Sequence, residues 1–259
     1  MIKLASWNVN SLKVRLPQVI AWLKASEVDV LALQETKLTD DFFPENVFNE
    51  LGYHVVFSGQ KTYNGVAIIS RFPMADVITD IPGLDDVQRR ILAVTISDWR
   101  LINLYVPNGS EVGSEKFNYK LSWLEQVKLY LQEQIKQFPK LTVVGDFNIA
   151  PEDIDVHDPK AWEGCVHVSP EERASFSEWF ALGLNDSFRQ LNSGEQQFSW
   201  WDYRTRAFRR NRGLRIDHIL LSKPLLACCQ QSGIDIEPRR NDRPSDHAPV
   251  WVELDVNKD

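Results

Sequence analysis

The segment EKFNYKLSWLEQVKLYLQEQIKQF, residues 115–138, decides the architecture of this chain. Its apolar residues recur at three- and four-residue steps, and this spacing predicts a long amphipathic helix with one apolar stripe. LTVVGDF, residues 141–147, follows directly and is typical of a buried strand. Because an apolar stripe must be covered, we predict that the helix lies on a sheet. The stripe comprises Phe117, Leu121, Leu124, Val127, Leu131, Ile135 and Phe138.

Strand-like runs recur along the rest of the chain. Several alternate at period two, and the hairpin-length gaps between them predict largely antiparallel sheets. Two more helices are predicted: LPQVIAWLKAS, residues 16–26, with a proline near its first turn, and SPEERASFSEWFALG, residues 169–183, with Ser169 as cap and Glu172 three residues later. The runs are IKLASWNV, DVLALQE, YHVVFSG, GVAIISR, RILAVTI, RLINLYV, LTVVGDF, LRIDHILL and APVWVEL.

These elements predict an α/β (α+β) fold in which two packed sheets are covered by helices, because this arrangement buries every apolar face. No repeat, low-complexity tract or linker-like segment divides the chain, and the turn signals are evenly spread. We therefore predict a single domain over residues 1–259.

The composition is that of a globular protein of the cytoplasm. The chain is 43% hydrophobic, but no apolar run approaches the roughly 20 residues that cross a bilayer. MIKLASWNVN enters a strand pattern without the zones of a signal peptide. Three cysteines, two of them adjacent at Cys228 and Cys229, make no disulfide framework, so we expect a reducing compartment and no membrane.

Charge is distributed unevenly along the chain. The net charge of -7 argues against a protein that coats nucleic acid by bulk attraction. YRTRAFRRNRGLR, residues 203–215, nevertheless contains six arginines. This stretch is either a solvated basic loop or a contact for a polyanion.

Polar residues stand where the predicted strands stop. In PSDHAPVWVEL, residues 244–254, the two prolines and the strand pattern place Asp246 and His247 on a rigid loop at a sheet edge. Each polar residue alone is compatible with a turn or a solvated strand end. Together they would converge at one rim if the sheets pack face to face. They are Asn8, Asn10, Glu35, Tyr105, Asp146, Asn148, Asp217, Asp246 and His247.

The chemistry of this set points to a hard divalent ion. Carboxylate and amide oxygens without paired histidine or cysteine ligands favour Mg²⁺, or Mn²⁺, over zinc, and Glu35 is the first candidate ligand. A histidine held by a carboxylate stabilises charge or moves a proton. Metal-assisted phosphodiester hydrolysis is the reaction class that uses all of these groups.

The order of motifs resembles the exonuclease III family of abasic-site endonucleases. The motifs are SWNVNSLK, LALQETK, NGVAIIS, QRRILAV, LYVPNG, VVGDFNIAP, FSWWDYR, NRGLRIDHILLS and PSDHAPV, which extend from Leu4 to about Val252. QET, GDFN and SDH alone indicate only the wider endonuclease/exonuclease/phosphatase superfamily. FSWWDYR and NRGLRIDHILLS resemble the corresponding motifs of the bacterial exonuclease III branch. The resemblance implies a four-layer α/β sandwich with the active site at one end of two mostly antiparallel sheets.

The resemblance also implies a role for each rim residue on the metal side. Glu35 would bind the metal and Asn10 would lie beside it. Asp246 would lie near the metal or near a second metal position. Tyr105 would sit against the phosphate.

On the other side of the rim the resemblance implies the proton-transfer and charge-stabilising groups. Asp146 would align or deprotonate the attacking water, with Asn8 and Asn148 fixing its orientation. Asp217 would hold His247 against the phosphoryl oxygen. A histidine activated by an aspartate is an alternative base, and spacing does not decide between the two.

The substrate implied by the resemblance is duplex DNA with abasic sites or 3′ ends. Hydrolysis would occur on the 5′ side of the lesion and leave a 3′ hydroxyl, and relatives also remove nucleotides or blocking groups from 3′ ends. A small apolar pocket for the bare sugar would be lined by Trp200, Leu214 and Ile216, although many relatives carry an aromatic residue near Leu214. Phosphates would be held by Arg89, Arg90, Arg204 and Arg212 together with the other arginines of the 204–215 stretch.

We expect the nuclease to be a monomer. Two alternative functions remain at this level. A superfamily phosphatase or phosphodiesterase for a lipid or inositol phosphate would share the metal rim, but the arginines and Trp200 count against it. A nucleic-acid-binding module without catalysis would have no need of the full polar rim. The other histidines, His54, His157, His167 and His218, are interpreted as packing or surface residues.

Overall fold

The strands form two six-stranded sheets in the computed structural model, which describes residues 1–84 and 86–256. In chain order they are β1 (Ile2–Asn8), β2 (Val30–Gln34), β3 (His54–Ser58), β4 (Val66–Ser70), β5 (Ala75–Ile78), β6 (Ile91–Ile96), β7 (Trp99–Tyr105), β8 (Leu141–Asp146), β9 (Leu184–Asp186), β10 (Asp217–Ser222), β11 (Cys229–Ile234) and β12 (Val250–Leu254). The first sheet has the order β11-β12-β1-β2-β4-β3, and the second has the order β5-β6-β7-β8-β10-β9.

The α-helices are α1 (Leu12–Ser26), α2 (Glu45–Asn49), α3 (Glu115–Gln137), α4 (Pro159–Trp162), α5 (Pro170–Ala181), α6 (Ser187–Leu191) and α7 (Lys223–Cys228). Strands pair antiparallel except for β1 with β2 and β7 with β8. A parallel pair needs a crossover connection, and α1 and α3 supply the two crossovers. The prediction of largely antiparallel sheets is confirmed. In the described part of the chain no helix has the length and apolar character to cross a membrane.

Three apolar clusters separate four layers. Between the sheets, Leu4 and Ile68 of the first sheet share a buried cluster with Leu101 and Val144 of the second. A second cluster joins the outer face of the second sheet to α3 and α5, and a third joins the outer face of the first sheet to α1 and α2. The predicted four-layer sandwich is thus confirmed. The predicted domain boundaries also include residues 85 and 257–259, which lie outside the described residues.

The helix ends follow local signals, with one exception. Ser114 accepts a hydrogen bond from the backbone N–H of Phe117 at 3.2 Å and caps α3, and Ser169 opens α5 with the predicted capping box. The prediction that the first helix begins near Leu16 was wrong, because α1 begins at Leu12 and Pro17 lies inside it. Leu12 is buried and precedes Leu16 by four residues, so it extends the same apolar stripe.

Candidate active site

Strand direction brings the polar strand ends to one edge of the sandwich. The parallel strands β1 and β2 end there together, and β12, antiparallel to β1, begins there. In the second sheet Asp146, at the end of β8, pairs with Tyr105 at the end of β7 and with Asp217 at the start of β10. The polar residues that this edge brings together are Asn8, Asn10, Glu35, Tyr105, Asp146, Asn148, Asp217, Asp246 and His247.

Asp146 lies at the centre of the site in a cage of amides. Its side chain is buried, and its Oδ2 accepts hydrogen bonds from Nδ2 of Asn8 at 2.9 Å and from Nδ2 of Asn148 at 3.2 Å. The backbone N–H of Asn148 donates to Oδ1 at 2.9 Å. These donors fix the orientation of the carboxylate at the rim.

His247 is held on the opposite side of Asp146 by a second carboxylate. Its Nδ1 lies 2.9 Å from Oδ2 of Asp217, and its Nε2 lies 3.7 Å from Oδ2 of Asp146. Nε1 of Trp7 donates to the backbone carbonyl of His247 at 3.1 Å. The imidazole is therefore positioned by both its ring and its backbone.

The charges of these three groups depend on one another. Burial raises the pKa of the Asp146 carboxyl to about 7; His247 opposes this shift and Asp217 reinforces it. Burial disfavours the imidazolium, but Asp217 and Asp146 outweigh that effect and raise the pKa of His247 to about 10. At neutral pH the imidazole is protonated, so it is a donor rather than a base.

Glu35 joins the two sheets at the other end of the rim. Its Oε1 accepts hydrogen bonds from Nδ2 of Asn8 and from the hydroxyl of Tyr105, each at 2.9 Å. Burial alone would raise the pKa of Glu35, but Lys37 and Asn8 outweigh it and the pKa is lowered. Burial, Glu35 and Asp146 raise the pKa of Tyr105 well above its ordinary value. Glu35 is therefore an anion, and Tyr105 is a neutral donor.

Oxygens of Glu35 and Asn10 both contact the ammonium group of Lys37. Nζ of Lys37 lies 2.8 Å from Oε2 of Glu35 and 2.5 Å from Oδ1 of Asn10. Asp246 extends the set, because its Oδ1 accepts from Nδ2 of Asn10 at 2.9 Å. Carboxylate and amide oxygens are the ligands that hard divalent cations prefer. The donors therefore fit such an ion, which Glu35, Asn10 and Asp246 would hold.

A second grouping of metal-binding atoms overlaps this one. Ligand atoms of Glu35, Asp146 and His247 all lie within 4.8 Å of one another. A protonated imidazole has no free lone pair, so the carboxylates make up the metal-binding part of this cluster.

The two adjacent tryptophans face opposite ways, as an extended segment requires. Trp201 is 1% exposed and packs against Phe208. Nε1 of Trp200 donates to Oδ2 of Asp246 at 3.0 Å. Of the two, Trp200 thus reaches the rim.

Leu214 and Ile216, which were expected to line a sugar pocket beside Trp200, are buried. Leu214 is 0% exposed and Ile216 is 1% exposed, and both belong to a small apolar cluster that also contains Val156 and Val168. The ring of His167 lies 6.1 Å from that of Trp200, centroid to centroid. Leu214 and Ile216 therefore pack with Trp200 in one apolar cluster, and their role in lining a sugar pocket stays a prediction.

Arg89 and Arg90, both expected at phosphates, have protein partners. Arg89 lies on the surface and pairs with Asp80 at 2.8 Å. Nε and Nη2 of Arg90 donate to Gln88, its Nη1 donates to the carbonyl of Tyr105, and its guanidinium lies over the Tyr105 ring. Arg90 therefore supports Tyr105 directly.

The arginine-rich stretch divides into an exposed part and a buried end. Arg204 and Arg212 are exposed, as are the arginines between them. Arg215 is 1% exposed and lies 2.7 Å from carboxylates of both Asp155 and Asp186. The interpretation of the whole stretch as a phosphate contact was wrong for Arg215.

Two serines that sequence reasoning missed organise the rim. Oγ of Ser199 donates to Oδ2 of Asp217 at 2.6 Å. Oγ of Ser245 donates to the carbonyl of Asn8 at 2.6 Å and accepts from the backbone N–H of His247 at 3.2 Å. Nothing in the local pattern distinguishes these serines from turn residues.

Lys37 and His167 were also missed. Lys37 stands two residues after Glu35 but beyond the end of β2, so no strand periodicity indicated that its ammonium would contact Glu35. His167 is buried, as predicted, but it packs at the edge of the site. Its Nδ1 lies 2.7 Å from the carbonyl of Asn148, and burial lowers its pKa to about 4. His167 is therefore neutral and donates through Nδ1.

A two-sheet sandwich with carboxylates, amides and a protonated imidazole across one edge defines a metal-dependent phosphoesterase. Comparison of the chain with known families agrees with this class. The chain belongs to the endonuclease/exonuclease/phosphatase family, whose sequence profile matches residues 5–247.

Relatives of nearly equal length place the chain more closely. It is 37% identical to exodeoxyribonuclease III of Haemophilus influenzae, over 98% of this chain and 100% of that protein. A 3′ phosphatase from Neisseria, solved with a product DNA hairpin, superposes with a TM-score of 0.97 at 46% identity, over 98% of this chain and 100% of that one. An AP endonuclease from Archaeoglobus fulgidus has a TM-score of 0.96 at 40% identity, over 99% and 100%.

Proposed function

We propose that the protein is a metal-dependent DNA-repair nuclease that hydrolyses phosphate esters at 3′ ends of duplex DNA and on the 5′ side of abasic sites, leaving a 3′ hydroxyl. The observation that carries this proposal is the placement of Asp146 between an amide cage and the protonated imidazole of His247. This pair supplies a proton acceptor and a charge stabiliser within one site.

Asp146 is the better base of the two candidates. Asn8 and Asn148 hold its carboxylate, and its raised pKa suits proton abstraction from water near neutral pH. His247 already carries a proton, so it donates to a phosphoryl oxygen as negative charge develops. Asp217 holds the imidazole for that role.

Mg²⁺ fits the metal side of the rim, and Mn²⁺ is the alternative ion. Glu35, Asn10 and Asp246 would hold it, and the bound ion would neutralise charge on the phosphate. Tyr105 is a neutral donor beside Glu35, and its hydroxyl lies at the same part of the rim. The neutral hydroxyl donates a hydrogen bond without adding a negative charge near the phosphate.

The DNA contacts outside the rim are proposed for the exposed arginines Arg204 and Arg212. They carry charge toward solvent, as required for a sequence-independent grip on the backbone. Arg89 would contribute after exchange of its surface partner Asp80. A monomeric state, a cytoplasmic location and one domain over residues 1–259 stay predictions.

Processing of 3′ ends is favoured over cleavage at abasic sites by the packing around Trp200. Entry of a bare sugar behind Trp200 would require Leu214 and Ile216 to move, and both are fully packed. A 3′-terminal phosphate needs only the rim itself. The similar solved structures include both a 3′ phosphatase and an AP endonuclease, so this preference depends on the packing around Trp200.

The test uses end-labelled duplexes with a 3′ phosphate, with one abasic analogue, or undamaged, each with Mg²⁺ and with EDTA. We expect metal-dependent release of the 3′ phosphate to be fastest, with cutting on the 5′ side of the lesion as the second activity. An inositol phosphate is the control substrate. Its hydrolysis without reaction of any duplex would reject a DNA nuclease in favour of another phosphatase of the family.

A further inference from the structure

Lys120 is a buried cation that the proposed chemistry does not use. It lies on α3, is 0% exposed, and its Nζ donates to the backbone carbonyls of Asn148 at 2.7 Å and Asn108 at 3.2 Å. Its third partner is Oε1 of Glu172 on α5, which is also 0% exposed. One ammonium therefore joins two helices and the two loops that follow β7 and β8.

A buried ion pair such as Lys120 with Glu172 contributes little net stability to a protein. Burial lowers the pKa of Lys120, and Glu172 opposes this shift. Desolvation of two ions commonly offsets their attraction, and apolar replacements of similar volume are often neutral. The presence of the pair here therefore points to a role in fixing a particular local geometry.

The network around the pair ends at two residues with a left-handed backbone. Asn148 has φ 51° and His167 has φ 78°, and neither is a glycine. Glu172 accepts from the backbone N–H of His167 at 3.0 Å, and Nδ1 of His167 lies 2.7 Å from the carbonyl of Asn148. The carbonyl of Asn148 is thus held by both Lys120 and His167, which keeps this strained loop in place.

Asn148 transmits this restraint to the centre of the rim. Its backbone N–H and its side-chain amide both donate to Asp146, at 2.9 and 3.2 Å. We propose that Lys120 is a positioning residue, whose buried ammonium fixes the loop at Asn148 and thereby orients the carboxylate of Asp146. This inference rests on the proposed function, because it concerns the efficiency of the same site.

The test replaces the pair in the full-length protein by Lys120→Met with Glu172→Gln, which removes both charges and roughly keeps the volumes. Lys128→Met with Glu178→Gln is the matched control, because Lys128 joins the same two helices at the surface, with Nζ 2.7 Å from Oε2 of Glu178. We expect the inner double variant to lower kcat roughly 10- to 100-fold with KM and duplex Kd unchanged, because small misplacements of a reacting group have effects of this size. The control should leave all three unchanged.

The outcomes separate this inference from the proposed function. If the wild-type protein does not act on DNA, the proposed function fails. If the wild-type protein acts and the inner double variant has the same kcat, Lys120 is structural only. The same conclusion follows if the fall in kcat is no larger than the fall in the folded fraction, measured by circular dichroism on the same sample.

A second measurement covers a variant that does not fold. Hydrogen exchange of the wild-type protein should show that the hydrogen-bonded amides of Phe147, Asn148 and Ala150 are protected as strongly as those of β8. Rapid exchange of these amides beside a protected β8 would show that Lys120 and Glu172 do not hold the loop at Asn148, and would overturn the proposal.

Discussion

Nδ1 of His247 lies 2.9 Å from Oδ2 of Asp217, and the two residues are 30 positions apart: Asp217 opens β10 of the second sheet and His247 precedes β12 of the first. The contact therefore joins the two halves of the sandwich at its polar edge. It gives the imidazole a charge partner behind the rim, so that Nε2 is directed toward Asp146. The contact with Asp217 keeps His247 protonated, and the proposed mechanism depends on this proton.

Asp217→Asn should move the alkaline limit of activity to lower pH. The carboxylate raises the pKa of His247, so its removal lowers that pKa, and the proposed donor loses its proton at a lower pH. We expect kcat of the wild-type protein to rise through about pH 7 as Asp146 loses its proton and then to level off up to about pH 9, whereas kcat of the variant should fall over the alkaline half of that interval. The measurement is kcat at saturating 3′-phosphate duplex with Mg²⁺. Asp153→Asn, at a surface pair with Arg173, is the control, and parallel profiles for Asp217→Asn and wild type would contradict the assignment.

Asp146→Asn should separate chemistry from binding. The amide keeps the size of the side chain but cannot accept a proton from water, so kcat should fall by at least about 10². The duplex Kd, measured by fluorescence anisotropy in the presence of Ca²⁺, should stay close to the wild-type value, because the arginines proposed to contact phosphates are unaltered. If duplex affinity and kcat fell by the same factor, Asp146 would support the architecture of the rim and not proton transfer.

Glu35→Gln should weaken metal binding in the absence of DNA. Loss of the anionic ligand should raise the Kd for Mn²⁺ at least about tenfold, since even outer partners of metal ligands have effects of that size. Mn²⁺ binding is followed by electron paramagnetic resonance of the free ion. Glu253→Gln, which removes a surface partner of Lys3, is the control. An unchanged Mn²⁺ Kd for Glu35→Gln would place the ion elsewhere on the rim.

The parts of the fold that depend on periodicity could be predicted from the sequence. The stripe of α3, the cap at Ser169 and the alternating strands are local signals, and each element forms as expected. The predicted start of α1 was wrong because a proline is favoured in the first turn of a helix, whereas Pro17 lies inside α1. Periodicity constrains which face is buried, whereas the end of a helix also depends on the residues that pack around it.

The site was predictable as a set of residue types but not as a set of contacts. Asn8 and Asp146 are 138 residues apart, and their hydrogen bond follows from strand order, which no local pattern contains. Leu214 was expected at a pocket wall and is buried, because its neighbours in space come from the 150–168 segment. The partners of Lys120 escaped prediction for the same reason.

Arg204→Ala with Arg212→Ala should reduce the salt dependence of DNA binding. If each exposed side chain neutralises one phosphate, the slope of log K against log salt should become shallower by about 0.9 for each arginine removed. The measurement is duplex Kd between 50 and 200 mM KCl, which roughly covers the range where such effects are large. Lys136→Ala on α3, with an exposed partner at Glu133, is the control. The arginines would be solvated surface groups if the slope of the double variant matched that of wild type.

Arg215→Met should lower the free energy of unfolding and leave duplex Kd unchanged, although Arg215 belongs to the same arginine-rich stretch. The guanidinium is buried between Asp155 and Asp186, and its removal leaves Asp186 without this cation and Asp155 with Arg189 alone, so we expect a loss of about 3–5 kcal/mol of unfolding free energy at pH 7. Burial alone would raise the pKa of each carboxyl, but Arg215 outweighs it and both are lowered. Without Arg215 the pKa of both carboxyls is higher than in the wild-type protein, so the folded variant takes up protons first as the pH falls, and the difference in unfolding free energy should shrink toward pH 4. Urea unfolding at pH 7, 5 and 4 measures it, with Arg240→Met at an exposed pair as the control. A difference that is constant with pH would mean that Arg215 stabilises the fold by packing and not by its charge.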